Sequence, residues 1–390
     1  MPVTLTILNH GTSNSSEGDP HIIITQLEQW MQGPVGGLWM INQGVGSWQL
    51  NKEQRTVPGW TTLGGILWAK GIDDNVEKAV KFVKSKLKGG TTAADITVNL
   101  AGHSRGSITC FKIANALYEN RATRCRVNIF AIDPVAGNLG SVNSHVYKDI
   151  ALKCNVTSAS MFLAETERRN AFRPYIDQFF LSDLPFHRMD TIPGNHGGIN
   201  DLKDSHLHES ADVVLHHAVK FLHAHGTAFG PALGNMLKSN AQLLTLYAQV
   251  MLDFQEYKKQ GHKSEGNWFF PGGTSAGDRV ANTKRADPPK RFGFIPRPEK
   301  DKFQGSALKN VRGLEHLAMS KQTRFFANAD HKLLYRNAYP RSYQFLVLLE
   351  KDFEAAGVLA MTQTAEYAAE LRMMSNIEQQ YLNSWIGRAG

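Results

Sequence analysis

The segment VNLAGHSRGSITC, residues 98–110, sets Ser104 between Gly102 and Gly106, where an apolar run stops and a helix-like pattern begins. A Gly-x-Ser-x-Gly turn between a strand and a helix has a physical purpose. Glycines on either side let the chain fold sharply enough to raise the serine hydroxyl above the sheet edge. The context suits such an elbow: ITVNLA reads as a buried strand, and SITCFKIANALY carries its apolar residues at helical spacing. A helix starting directly behind Ser104 adds a positive dipole end, which makes the backbone N–H of Arg105 the expected first donor to an oxyanion. His103, inside the turn, is expected to shape it rather than to act as a base.

A serine at its ordinary pKa is a weak nucleophile and needs a histidine base oriented by an acid. On a sheet of this kind the chain order is Ser, Asp, His. Asp133 ends the apolar run VNIFAIDPVAG and is the leading acid, with Asp177, Asp183 and Asp190 as competitors and a plain turn-capping role as the other reading. Among the 15 histidines, His196 in TIPGNHGGIN stands out, because a Gly-rich loop after the last strand leaves its imidazole free to reach across the sheet edge. His206, His208, His216, His217, His223 and His225 crowd one helix without a His-Glu-x-x-His pattern, so they read as helix histidines rather than metal ligands. The second oxyanion donor is expected from LNHGTSNS, at Gly11 or Thr12, although the same residues would make an ordinary turn. No metal or organic cofactor is expected. The three cysteines, Cys110, Cys125 and Cys154, lack Cys-x-x-Cys spacing and read as reduced packing residues.

These residues need a sheet to hold them. Strand-like and helix-like segments alternate through the first part of the chain, which predicts an α/β fold: a mostly parallel sheet flanked by helices, of the α/β-hydrolase type. The expected strands are VTLTILNHG, GLWMINQGVG, DITVNLAG, CRVNIFAIDPVAG, TSASMFLAET and IDQFFLSDLP. The expected helices are HIIITQLEQWMQG, a stretch from Asp73 to Leu87 capped by Asp73 or Asp74 and stopped at Gly89, RGSITCFKIANALYEN, and roughly Ser210 to His225. From Gly226 onward the strand pattern fades and amphipathic helices follow in GNMLKSNAQLLTLYAQVMLDFQEYKK, RSYQFLVLLEKDFEAAG and TAEYAAELRMMSNIEQQYLNSWI. The expected division is a catalytic core over 1–226 and a helical, loop-rich cap over 227–390.

In combination, ILNHGTSNS, GHSRGS, NIFAIDPVAGNLG, ETERRNAFRP and IPGNHGGIN, in that order over about residues 3–205, resemble the type VI lipase effector (Tle1-like) α/β-hydrolases. The resemblance implies Ser104 as nucleophile, Asp133 as acid, His196 as base, and the Gly11–Thr12 loop in the oxyanion region. It further implies hydrolysis of phospholipid esters by a bacterial effector delivered into another cell. Two positions depart from the family pattern: Asn9-His10 stands before the Gly-Thr where an acidic residue is expected, and Gly197-Gly198 follow His196 where another is expected.

A hydrophobic content of 42% argues against a disordered chain. No window approaches the ~18 apolar residues of a membrane span. The N-terminus lacks a basic, then apolar, leader, so a protein made in the bacterial cytoplasm without a signal peptide is expected. The residues point to a serine-dependent hydrolase of acyl esters, and the resemblance implies a lipase or phospholipase A acting on lipid. The alternatives are a soluble carboxylesterase or thioesterase, and a catalytically silent membrane- or nucleic-acid-binding protein on the same fold.

The net charge of +8 is confined to one stretch: Lys258 to Gly313 holds 13 Lys or Arg against 5 Asp or Glu. Trp268, Phe269, Phe270, Phe292, Phe294 and Phe303 are set among these charges, a composition that suits a basic lobe meeting an anionic surface, membrane or nucleic acid, with a solvated surface loop as the other reading; the membrane is the favoured partner. Each Lys or Arg near such a surface adds about 1 kcal/mol of attraction. Changing Lys284, Arg285, Lys290 and Arg291 together to Ser should therefore cut hydrolysis of anionic vesicles while leaving a soluble short-chain ester untouched. Loss of nucleic-acid binding in a gel shift, with vesicle hydrolysis unaltered, would count against the membrane reading.

Overall fold

The computed structural model describes residues 2–45, 64–135, 150–165, 187–203, 208–259, 325–351 and 365–386, apart from positions 13, 89, 151 and 232. Six strands form one all-parallel sheet: β1 (Val3–Asn9), β2 (Trp39–Asn42), β3 (Ile96–His103), β4 (Arg126–Ile132), β5 (Val156–Ala164) and β6 (His187–Ile192). Their order is β2-β1-β3-β4-β5-β6, so the direction of winding reverses between β1 and β3. In open parallel sheets, the crevice at such a reversal, outside the carboxyl ends of the strands, is where sites form.

The period of two along each strand sorts side chains onto two buried faces. Leu5 and Ile7, Val98 and Leu100, Val127 and Ile129, and Met161 share one core with α2 (Gly64–Ser85) and α3 (Arg105–Glu119). Leu8, Phe130 and Ile132, Phe162 and Ala164 face the other way, against α1 (Ile23–Gln29) and α4 (His208–Ala224). The later helices join this second core. These are α5 (Leu233–Met236), α6 (Asn240–Lys259), α7 (Ala329–Ala338), α8 (Pro340–Lys351), α9 (Ala365–Arg372) and α10 (Asn376–Ile386). Tyr247, Phe325, Phe326, Leu346 and Leu382 are among the residues they or their flanks bury there. Among the described residues, no helix is long and apolar enough to cross a membrane.

Three local expectations change. Asp73 and Asp74 lie inside α2, not at its cap, because the helix begins at Gly64. It runs through Gly71, where a Cβ would meet Val45 Cγ1 at 2.9 Å, so glycine there lets the helix lie close to the chain end of the β2 loop. The segment TAEYAAELRMMSNIEQQYLNSWI is two helices. Ser375 breaks it by capping α10: its Oγ accepts from the Glu378 N–H at 3.4 Å, and Glu378 Oε2 accepts from the Ser375 N–H at 2.8 Å. The sixth strand is HRMDTI, which alternation of apolar residues does not reveal. IDQFFLSDLP, expected as a strand, lies outside the described residues, as does most of the basic stretch 258–313; its first two lysines end α6.

Thr6, Asn99, Asn128 and Ser158 fall in register across four strands, forming a polar row in an otherwise apolar layer. The row holds the chain just beyond α4. Asn99 Nδ2 donates to the His225 carbonyl at 3.0 Å and to Thr227 Oγ1 at 2.9 Å, while its Oδ1 accepts from Asn128 Nδ2 at 2.9 Å. Thr6 and Thr227 hydroxyls meet at 2.9 Å. Gly226, at φ +84°, turns the chain between these anchors.

A buried donor or acceptor left without its partner costs about 1–3 kcal/mol. Asn99→Leu strands several at once and is expected to lower stability by about 3 kcal/mol, read as a shifted denaturant midpoint. Because Asn99 lies toward the amino end of β3, labelling of Ser104 by a serine-reactive probe in the folded variant should be unchanged.

Candidate active site

The strand ends are brought level by their register: Asn9 pairs with Gly102, His103 with Ile132, Ile132 with Phe162, and Ala164 with Ile192. The loops that follow therefore meet along one edge. Ser104 sits there at φ 56°, ψ −121°, a conformation an L-residue enters only under strain. Two glycines make the turn geometrically possible. A Cβ on Gly102 would lie 2.4 Å from the Gly106 carbonyl carbon, and one on Gly106 would lie 2.2 Å from the Asn9 carbonyl oxygen. Ser107 stitches the elbow to the next strand: its hydroxyl donates to the Gly102 carbonyl at 2.6 Å and accepts from the Ile132 N–H at 3.1 Å.

From this turn the Ser104 Oγ reaches His196 Nε2 at 2.8 Å, and His196 Nδ1 reaches Asp133 Oδ2 at 2.6 Å. All three side chains are buried, with Asp133 fully so. Asp133 too has a positive φ, 43°, and its backbone is pinned by donation from its N–H to the Phe162 carbonyl at 2.7 Å. Its second oxygen, Oδ1, accepts from the Ala164 N–H at 3.1 Å. A carboxylate oxygen only accepts, so Nδ1 of His196 carries the proton and Nε2 presents a lone pair to the serine hydroxyl. The His196 loop is itself a tight turn. Asn195 Oδ1 accepts from the Gly198 N–H at 2.8 Å, and Ser210 Oγ donates to the Pro193 carbonyl at 2.5 Å.

The loop after β1 lies against the elbow. Arg105 Nη1 donates to Thr12 Oγ1 at 2.9 Å, and the Gly11 carbonyl accepts from the Asn14 N–H at 3.1 Å. Asn9 and His10 are both buried. Asn9 Oδ1 accepts from Asn42 Nδ2 at 2.8 Å, and its Nδ2 donates to Cys110 Sγ at 3.2 Å, tying β1 to β2 and α3. His10 Nε2 lies 3.2 Å from Ser16 Oγ, and burial, partly opposed by Asp19, lowers its pKa to about 4, so the ring is neutral near pH 7. His103 Nε2 lies 3.0 Å from the His196 carbonyl, and burial lowers the pKa of this ring to about 3.

The competing residues do other things. Asp190 on β6 pairs with Arg188, which also holds Asp330 at the start of α7. That ion pair explains how a strand as polar as HRMDTI can be buried. Asp177 and Asp183 lie outside the described residues, as does His206. On α4, His216 Nδ1 accepts from the Lys238 N–H at 3.0 Å, His217 Nε2 lies 3.2 Å from Tyr247 Oη, and His225 Nδ1 donates to the Phe221 carbonyl at 2.8 Å. Burial lowers the pKa of His217 to about 3. Sequence reasoning did not single out Ser107, Asn195 or the Ala164 N–H; only the fold reveals what they contact.

No family model matches the chain, and no curated protein is similar to it in sequence. Among solved structures, it is similar to the Tle1 effector bound to the VgrG spike of the type 6 secretion system, at 14% identity over 51% of each chain with a TM-score of 0.34. An uncharacterized protein from Pseudomonas aeruginosa shares 12% identity over 86% of this chain and 66% of its own, with a TM-score of 0.42. The peroxisomal α/β-hydrolase Lpx1 from Saccharomyces cerevisiae shares 12% identity over 67% of this chain and 87% of its own, with a TM-score of 0.33. The chain spans about half the length of the Tle1 effector.

The packing at Gly106 sets two effects against each other. Gly→Ala inside a helix ordinarily stabilises by roughly 0.5–1 kcal/mol. Here the added methyl meets the backbone of Asn9 and His10, which cannot rotate away, and overpacking of this kind costs about 1–3 kcal/mol. Gly106→Ala is therefore expected to lower the unfolding midpoint. Gly234→Ala in α5, where the new Cβ meets nothing within 4 Å, should leave it unchanged or raise it. An unaltered midpoint in Gly106→Ala would refute the close approach at the elbow.

Proposed function

We propose that the protein is a serine hydrolase of carboxylic esters, acting on lipid or acyl-ester substrates as a lipase or phospholipase A. One observation carries this reading: the continuous line from the strained Ser104 through His196 to the buried Asp133, with contacts of 2.8 and 2.6 Å. His196 Nε2 takes the hydroxyl proton as Ser104 Oγ attacks the ester carbonyl, and returns it to the leaving alcohol when the tetrahedral intermediate collapses. Asp133 holds the imidazole in the required tautomer and stabilises the imidazolium that forms. Water then repeats the sequence on the acyl-enzyme.

The negative oxygen of the intermediate calls for N–H donors at the elbow. Support for Arg105 comes from its place as the first residue of α3, directly after Ser104, where the positive end of the helix dipole lies. Support for Gly11 and Thr12 comes from the bond that holds the Thr12 side chain to Arg105. In this reading, the basic stretch 258–313 is the part of the chain that would meet an anionic bilayer. Delivery as a bacterial effector belongs to the same proposal and rests on the motif resemblance.

Labelling with a fluorophosphonate probe, followed by peptide mapping, tests the nucleophile directly: Ser104 should carry the adduct, and Ser104→Ala should abolish it. Hydrolysis across p-nitrophenyl esters of increasing chain length and phospholipid vesicles separates lipase from soluble esterase. Ser104→Ala and His196→Ala should lower kcat by about 10⁴- to 10⁶-fold, and Asp133→Asn by roughly 10³- to 10⁴-fold, with the fold retained. Full activity in Asp133→Asn would overturn the assignment of the acid.

A further inference from the structure

The residue before the nucleophile has no step in the chemistry above, yet it touches two of the loops that build the site. His103 ends β3 with 5% of its surface exposed. Its Nε2 stands 3.0 Å from the backbone carbonyl of His196, and the two imidazole rings are 4.7 Å apart between centroids, tilted by 33°. On its other side, a Cβ placed on Gly11 would come within 2.8 Å of His103 Nδ1. The ring is thus a wedge between the loop after β1 and the loop after β6. Its protonation follows from its partner: a carbonyl can only accept, so the proton is on Nε2 and Nδ1 is the bare nitrogen. Among the described residues, Nδ1 has no hydrogen-bond partner.

We infer that His103 is a positioning residue for His196, its Nε2–H fixing the backbone carbonyl of the base so that the base imidazole spans Ser104 and Asp133 at once. The inference rests on the hydrolase reading for its kinetic consequence, but not for its geometry. The need is specific to this loop. Gly194, Gly197 and Gly198 flank His196, and glycines confer backbone freedom that must be removed by contacts from outside the turn. Two short hydrogen bonds from opposite sides of one ring tolerate little drift, and a misplacement of ~1 Å can cost about 10²-fold in rate. The neutrality of His103 suits the role, because a second cation beside His196 would oppose formation of the imidazolium.

The test separates donor from filler. His103→Gln places an amide N–H near the position of Nε2, whereas His103→Leu fills similar volume without a donor. The full-length variants are compared by three measurements: the downfield proton NMR resonance of the His196 Nδ1–H, kcat and KM on a soluble p-nitrophenyl ester, and the unfolding midpoint. In the leucine variant, kcat should fall by roughly 10- to 10²-fold with KM nearly unchanged, and the resonance should shift or broaden. The glutamine variant should keep both close to wild type. If leucine prevents folding, His103→Phe makes the same comparison with a ring retained. The inference is overturned if the donorless variant keeps the wild-type resonance and kcat, or if glutamine falls as far as leucine. A wild-type protein without esterase activity would remove the hydrolase reading, and the resonance alone would still decide the role of His103.

Discussion

The approach of the Gly106 Cα to the Asn9 carbonyl is the constraint on which the rest depends. It lets α3 begin directly beneath the end of β1, and this contact, with Gly102 against the Gly106 backbone, bends the chain into the turn that holds Ser104 at φ 56°. Neither contact admits a methyl group. A strained residue persists only where its surroundings over-determine it. Here the determinants are the Ser107 hydroxyl, the Ser104 N–H donating to the Ile132 carbonyl at 2.9 Å, and the strand register itself.

Hydrogen bonding governs what the sheet can bury. The carboxylate of Asp133 is inside the protein, and each of its oxygens has a donor of its own, from His196 and from Ala164. His10 and His103 lie close by with pKa values lowered by burial, so they add polar contacts without adding charge near His196. Elsewhere the same rule lets Arg188 and Asp190 occupy a strand as an ion pair, and lets Asn99 and Asn128 cross the middle of the sheet, since their amides meet complementary groups. The second core then extends from β4 and β5 through α4 to the C-terminal helices, so Phe130, Tyr247 and Leu382 belong to one apolar cluster.

The parts of the fold that were legible from the chain are those whose signal is local. The strand TSASMFLAET and the helix after Ser104 show their period in a window of ten or so residues, and both stand where expected. HRMDTI was not legible, because the Arg188 that pairs with its buried Asp190 is also held by Asp330, 142 positions further along the chain. The start of α2 was placed too late, because Asp73 and Asp74 read as caps; the helix runs back to Gly64 through Gly71, which packs against Val45.

For the site, residue types and their order along the chain brought Ser104 and His196 forward as candidates, because a strand-turn-helix elbow and a Gly-rich loop are local patterns. The selection among aspartates is not local. Asp133 ends an apolar strand and Asp190 lies within a polar one, and only the packing of β5 beside β4 places the first against His196 while Arg188 engages the second. Distances of 2.6 and 2.8 Å between residues 63 and 92 positions apart are properties of register and loop packing, which no local window contains. The sequence by itself determined which residues could carry such chemistry and where glycine permits a sharp turn. The tertiary structure alone decided which carboxylate meets His196, because that choice is made by neighbours distant in the chain.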